Sequence, residues 1–224
     1  MKTSLFDLYK IGIGPSSSHT MGPMRAARSF VLALHQQGLL NRTERVVCDL
    51  YGSLALTGHG HGTDRAVLLG LCGEEAASID PDSIEERLAT IRREQRLPLL
   101  GSHSIAFHEA TDLLFHKETL YPPASHTEHP NGMLFTAFNA AGERLNQETI
   151  FSIGGGFIVQ DGEKTQPAAQ EAAKVPYSFT SAAELLQMAE QSGQSIWQLM
   201  LANECVGRSE DEVRTGILAI WGVM

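Results

Sequence analysis

Residues 44–73 read ERVVCDLYGSLALTGHGHGTDRAVLLGLCG. The first half of this stretch, 44–58, is rich in β-branched and apolar residues and predicts a buried strand running into a glycine-rich loop. Thr63 then caps DRAVLLGLCG as a short helix, with Asp64 in its first turn and Gly73 just past its end. A buried strand handed directly to a helix places this part of the chain among folds that mix sheet and helix.

Working outward toward the N-terminus, Met24, Ala27, Val31 and Leu34 recur at helical spacing. Thr20 precedes them as an N-cap, Pro23 falls in the first turn and Gly38 closes the run. Toward the C-terminus a third helix starts at Asp80-Pro81, lines up Ile84, Leu88 and Ile91, and stops before Pro98. From Ser104 the period shortens: SIAFH, DLLFH, GMLFTAF and ETIFSIGGGFIV are strand-like runs separated by turn chemistry such as NAAGE at 139–143. The expected architecture is an α+β domain over residues 1–160, a mixed sheet with helices. The polar stretch 161–176 reads as a linker. Ser181/Glu184, Ser195/Gln198 and Ser209/Glu212 then mark three helix starts with capping-box spacing, so 177–224 reads as the start of an all-α domain. Its last helix ends GILAIWGVM with an apolar face and no C-cap, which implies that the helical domain continues beyond Met224.

Composition narrows the function classes. Seventeen Lys and Arg against 26 Asp and Glu give a net charge of −9 over 224 residues, which disfavours a nucleic-acid surface. No secretory leader pattern and no membrane-length apolar run occur, so the expected setting is cytoplasmic and away from membranes. The three cysteines, Cys48, Cys72 and Cys205, lie far apart among apolar neighbours and show no ligand spacing, so no metal ligands are assigned. A dinucleotide fingerprint and a G-x-S-x-G nucleophile elbow are both absent. The five lysines (Lys2, Lys10, Lys117, Lys164 and Lys174) sit at the termini or on polar stretches, which argues against pyridoxal phosphate.

Three stretches carry polar chemistry. GPSSSHTMGP (14–23) sets serine, threonine and histidine side chains where a helix begins, a place with unpaired N–H groups suited to a carboxylate or phosphate. An elaborate capping turn is the competing structural reading. GHGHGT (58–63) alternates His59 and His61 with glycines, giving imidazoles that could act as base, acid or metal ligand, or as ordinary loop residues. On an extended segment both rings would point to one side, as at some metal sites. SHTEHPNGM (125–133) adds His126 and His129 before a Pro-Asn-Gly turn.

In this order, SLFDLYKIGIGPSSSHTMGPMRAA, YGSLALTGHGHGTDRAVLLGL, HPNGM and FSIGGGFI resemble the N-terminal part of the iron–sulfur-dependent bacterial L-serine dehydratases, and VPYSFTSAAELL resembles the start of that family's catalytic α domain. The α+β part also resembles the allosteric substrate-binding domain of some phosphoglycerate dehydrogenases. The resemblance implies deamination of L-serine to pyruvate and ammonia, a 4Fe-4S cluster acting as Lewis acid, and a homodimer. By motif position His61 is the candidate base for the α proton, with His19 or His129 as alternatives. His19 with Ser16, Ser17 and Ser18 would hold the substrate carboxylate or amine, and Thr63, His129, Asn131 and Ser152 would complete the polar shell. The family's cluster cysteines lie in the α domain beyond residue 224, and Cys48, Cys72 and Cys205 match none of those motifs. L-serine and the remainder of the α domain are the implied partners, and the chain alone is expected to hold no cluster and to be inactive. Two further readings remain: a regulatory serine-binding and dimerisation module, and a zinc hydrolase built on His59, His61, His126 and His129.

Overall fold

The computed structural model describes residues 4–162 and 175–224. Along the chain the elements are α1 (Leu5–Leu8), a π-turn (Ser17–Met21), α2 (Gly22–Gln36), β1 (Arg45–Tyr51), α3 (Gly52–Thr57), a 3-10 turn (Gly58–His61) and α4 (Thr63–Leu71). There follow α5 (Ile84–Glu94), β2 (Arg96–Leu99), β3 (His103–Ala106), α6 (Glu109–Asp112), β4 (Leu113–His116), β5 (Gly132–Phe138), β6 (Arg144–Gly154) and β7 (Phe157–Gln160). Three helices end the chain: α7 (Ala182–Ser192), α8 (Ile196–Glu204) and α9 (Glu210–Val223). The described residues fall into two compact units, 12–162 and 4–11 with 175–224. Apart from its ends, the linker expected over 161–176 lies outside the described residues.

The larger unit is α+β, as the sequence predicts. Its five-stranded mixed sheet has the order β4-β1-β5-β6-β7, with β1 parallel to β4 and every other pairing antiparallel. A parallel pair needs a long crossover. Here the crossover runs through α3, α4, α5 and the separate β2-β3 hairpin, and so places the glycine-rich stretch 52–62 at the end of β1. Val46, Cys48 and Leu50 of β1, Met133 and Phe135 of β5 and Ile150 of β6 are fully buried, together with Met24, Ala27, Phe30, Val31 and Leu34 of α2. Phe30 stacks on Phe135 at 5.4 Å between ring centroids. Each of the Val, Leu, Ile, Met and Phe side chains among these buried residues contributes about 1.5–3 kcal/mol on burial. Gly70 lets α4 lie against α2, since a methyl there would overlap the Met24 carbonyl oxygen and stand 2.9 Å from Ala27 Cβ.

Three local expectations are corrected. The strand predicted over 44–58 ends at Tyr51, because Gly52 takes φ +53° and turns the chain into α3. Thr63 does not cap α4: Gly62, in the left-handed conformation, holds that position, and Thr63 is the first helical residue. Thr20 does not cap α2 but is buried inside the π-turn, whose own N-cap is Ser16. An additional strand, β2, contains Pro98. In a two-stranded hairpin that proline can face outward, where its missing N–H interrupts no ladder.

In the smaller unit, Ser195/Gln198 and Ser209/Glu212 form reciprocal capping boxes, and Ser181 caps α7 through Glu184 N–H. Glu204, 8% exposed, accepts from Ser4 Oγ at 2.6 Å and from the Leu5 N–H at 2.7 Å, fastening α1 to the end of α8. Among the described helices none is long and apolar enough to cross a membrane.

Candidate active site

The Ser16–Met21 turn is clamped from behind by three hydroxyls. Thr63 Oγ1 donates to the His19 carbonyl at 2.6 Å, Ser152 Oγ to the Ser18 carbonyl at 2.7 Å, and Thr20 Oγ1 to the His61 carbonyl at 2.8 Å. Thr63 and Ser152 are fully buried, so their hydroxyls hold the turn's backbone. Within the turn, Ser16 Oγ accepts the His19 N–H at 3.3 Å, and Ser18 Oγ lies 3.3 Å from Ser16 Oγ and 2.9 Å from His19 Nδ1. Ser17 is exposed.

The short helix α3 brings the two histidines together. Ser53 and Thr57, one helical turn apart, each face an imidazole. Ser53 Oγ is 2.9 Å from His19 Nε2, while the Thr57 carbonyl is 3.0 Å from His61 Nδ1. Thr57 Oγ1 donates to the Ser53 carbonyl at 2.9 Å, closing the bracket. The His19 and His61 rings sit 5.0 Å apart, tilted by 44°. His59 goes elsewhere and stacks on Phe115 at 4.0 Å. The common direction expected for His59 and His61 fails because residues 58–61 form a 3-10 turn, which lacks the two-residue period of an extended segment.

The third histidine arrives on the segment that leads into β5. The Ser53 N–H donates to the Pro130 carbonyl at 2.7 Å, docking this segment on α3. His129 Nδ1 accepts the Asn131 N–H at 3.2 Å, and Asn131 Nδ2 donates to the Ser152 carbonyl at 3.1 Å. Since a carbonyl only accepts, that contact fixes the orientation of the Asn131 amide. Its oxygen Oδ1 is then buried with no hydrogen-bond partner, on a residue 8% exposed. Upstream, the loop is fastened by Asp161, which accepts from Ser125 Oγ and from the His126 and Thr127 N–H groups. Burial raises the Asp161 pKa, but these hydrogen bonds outweigh it and hold the carboxyl at about 2.

Tautomers follow from the partners. A carbonyl opposite His61 Nδ1 puts a proton on Nδ1, so that in the neutral ring Nε2 carries the lone pair. An N–H opposite His129 Nδ1 does the reverse, so the neutral His129 ring carries its proton on Nε2. His19 has a hydroxyl at both nitrogens. Burial, and then the His61 ring, lower the His19 pKa below 6.5 against an opposing hydrogen bond to the Ser53 backbone, and burial lowers that of His129. Both shifts favour the neutral ring.

Among the described residues no group of three or more His, Cys, Asp or Glu side chains is placed to hold a metal ion, and His126 is engaged by Asp161 at 3.1 Å. The thiols do not suit a cluster either. Burial pushes Cys48 well up and Cys72 to about 12, and Cys205 belongs to the other unit. The sequence reading does not single out Ser53, Thr57 or Asp161. Only the i, i+4 spacing of Ser53 and Thr57 ahead of the histidines hints at the bracket.

Comparison with known proteins places the chain. The family model described as serine dehydratase beta chain matches residues 4–163. An L-serine dehydratase of Streptomyces coelicolor is 45% identical over 225 residues, covering 100% of this chain and 48% of that protein. L-serine dehydratase TdcG of Escherichia coli is also 45% identical, over 99% of this chain and 47% of its own length. An L-serine dehydratase of Mycobacterium bovis is 43% identical over 100% of this chain and 47% of the relative. The chain thus spans about half the length of the curated relatives it matches. The matched model covers most of the chain, including every residue of the histidine site, and the chain belongs to the serine dehydratase beta chain family.

Proposed function

We propose that this chain supplies the substrate-holding and base half of an L-serine dehydratase, which converts L-serine to pyruvate and ammonia. The observation that carries the reading is the Thr57 carbonyl on His61 Nδ1, which leaves Nε2 of a positioned imidazole as a ready proton acceptor. His61 takes the α proton at Nε2. His129 is unsuited to that task, because its outward nitrogen bears a proton, and His19 is engaged at both nitrogens. The α proton becomes more acidic once the adjacent carboxylate is neutralised. The hydroxyls of Ser16, Ser17 and Ser18, with His19 behind them, hold that carboxylate. Asn131 Oδ1, the buried acceptor without a partner, suits an ammonium N–H. Thr63 and Ser152 serve by fixing the turn that carries these groups.

A 4Fe-4S cluster, which the family resemblance implies, has no ligand set among the described residues, and no step is derived through it. Departure of the β-hydroxyl belongs to the part of the protein that the relatives carry in their other half. That half would also cover the apolar faces of the smaller unit, where Leu186, Trp197, Leu218 and Trp221 are 59–71% exposed. The same reading makes the complete protein a cytoplasmic homodimer.

The test mixes this chain with a separately produced second half, reconstituted with iron and sulfide without oxygen, and follows pyruvate from L-serine. Turnover in the mixture and in neither half alone is expected. No pyruvate from a mixture whose second half carries a loaded cluster would contradict the proposal.

A further inference from the structure

We propose that Ser53 is a positioning residue whose hydroxyl donates to His19 Nε2, sets the His19 proton on Nδ1, and so turns the Ser18 hydroxyl outward as a donor to an anionic substrate group. Both the choice of polarity and its consequence for substrate rest on the function proposed above, and the experiment below reads the polarity separately from turnover.

Ser16, Ser18, His19 and Ser53 form one line of contacts, at 3.3, 2.9 and 2.9 Å. A neutral imidazole donates from one nitrogen and accepts at the other, so the line has just two polarities. In one, Ser18 donates to His19 Nδ1 and the His19 Nε2–H donates to Ser53, which leaves the Ser18 hydrogen unable to meet a carboxylate. In the other, Ser53 donates to Nε2, the Nδ1–H donates to Ser18 Oγ, and the Ser18 hydrogen is released from the ring to meet either Ser16 Oγ or an anion. A site for an anion needs donors, which selects the second.

Ser53 is built to hold that polarity. Its backbone is tied on both sides, by its N–H to the Pro130 carbonyl at 2.7 Å and by its carbonyl to Thr57 Oγ1 at 2.9 Å. Before it, Gly52 takes φ +53° in a space where a Cβ would stand 2.7 Å from the Leu120 carbonyl oxygen. The hydroxyl is therefore presented from a fixed backbone, and through Thr57 the same helix sets the proton of His61. One turn of α3 thereby specifies both tautomers of the pair.

The experiment is long-range 15N–1H correlation of the histidines in the 224-residue chain labelled at His, as wild type, Ser53→Ala and Ser53→Thr. The wild type should show His19 protonated at Nδ1. Ser53→Ala should convert it to the Nε2–H form or to a mixture while His61 signals keep their tautomer, and Ser53→Thr, which retains the hydroxyl, should preserve the wild-type pattern. A His19 Nε2–H form in the wild type, or an unchanged His19 in Ser53→Ala, overturns the proposal. In the complete enzyme Ser53→Ala should raise KM for L-serine about tenfold with a smaller change in kcat, as loss of uniform binding does. A tautomer shift in a complete protein that forms no pyruvate would reject the proposed reaction and keep the role of Ser53.

Discussion

His61→Ala in the complete enzyme is expected to lower pyruvate formation by about 10²- to 10⁴-fold, the range contributed by a positioned general base. The loss should fall on kcat, with binding of L-serine largely retained, because in the proposed reaction His61 meets the substrate only where the proton leaves. The substitution is also mild for the fold. His61 is half-buried, and its side chain makes one hydrogen bond, to the Thr57 carbonyl, together with its ring contact to His19. Steady-state kinetics with a parallel binding measurement separate the outcomes. Retained turnover with altered cooperativity for serine would move this half of the protein to the regulatory reading.

Gly70→Ala should strongly destabilise the larger unit. Gly70 is fully buried in α4, and a Cβ there would overlap the Met24 carbonyl oxygen and stand 2.9–3.0 Å from Ala27 Cβ and the Met24 carbonyl carbon. The obstacle is the backbone of α2, which no rotamer change relieves. Overpacking of this kind costs about 3 kcal/mol, which for a chain of this size lowers the thermal midpoint by about 6–12 °C. The damage should reach the site, since α2 continues directly from the turn that carries His19. Thermal and urea unfolding measure it, and a midpoint within about 1 °C of wild type would mean that the two helices are not in the contact described.

How far the sequence disclosed this depended on the range of the interaction. The runs GMLFTAF and ETIFSIG alternate or cluster apolar residues over a strand's length, and β5 and β6 lie where that pattern puts them. The Ser195/Gln198 and Ser209/Glu212 boxes are complete within four residues and were equally plain. SLALT was not, because a short apolar run reads alike as strand or buried helix. The turn of the backbone at Gly52 decided it for α3. Pro98 hid β2 for the opposite reason, since it argues against a strand until its partner hairpin is known.

The site shows the same division. The chemistry of the SSSHT and GHGHGT stretches is visible in the residues themselves, whereas the choice among three histidines is not. That choice rests on which atom faces each ring nitrogen. The Ser53 contact to His19 spans 34 positions, and that of Asp161 to the 125–127 loop about as many. Even the local Thr57 contact to His61 depends on α3 being helical. Residue types therefore pointed to the imidazoles, and the fold supplies the partners at their nitrogens.

The central claim is that the neutral His61 ring presents its lone pair at Nε2 because a backbone carbonyl holds its proton on Nδ1. Long-range 15N–1H correlation of His61 in the 224-residue chain, recorded with the ring in its neutral form, measures this directly. The account predicts a single Nδ1–H tautomer with Nε2 in the unprotonated range, whereas an Nε2–H tautomer would leave the ring with no lone pair toward the substrate and would contradict it.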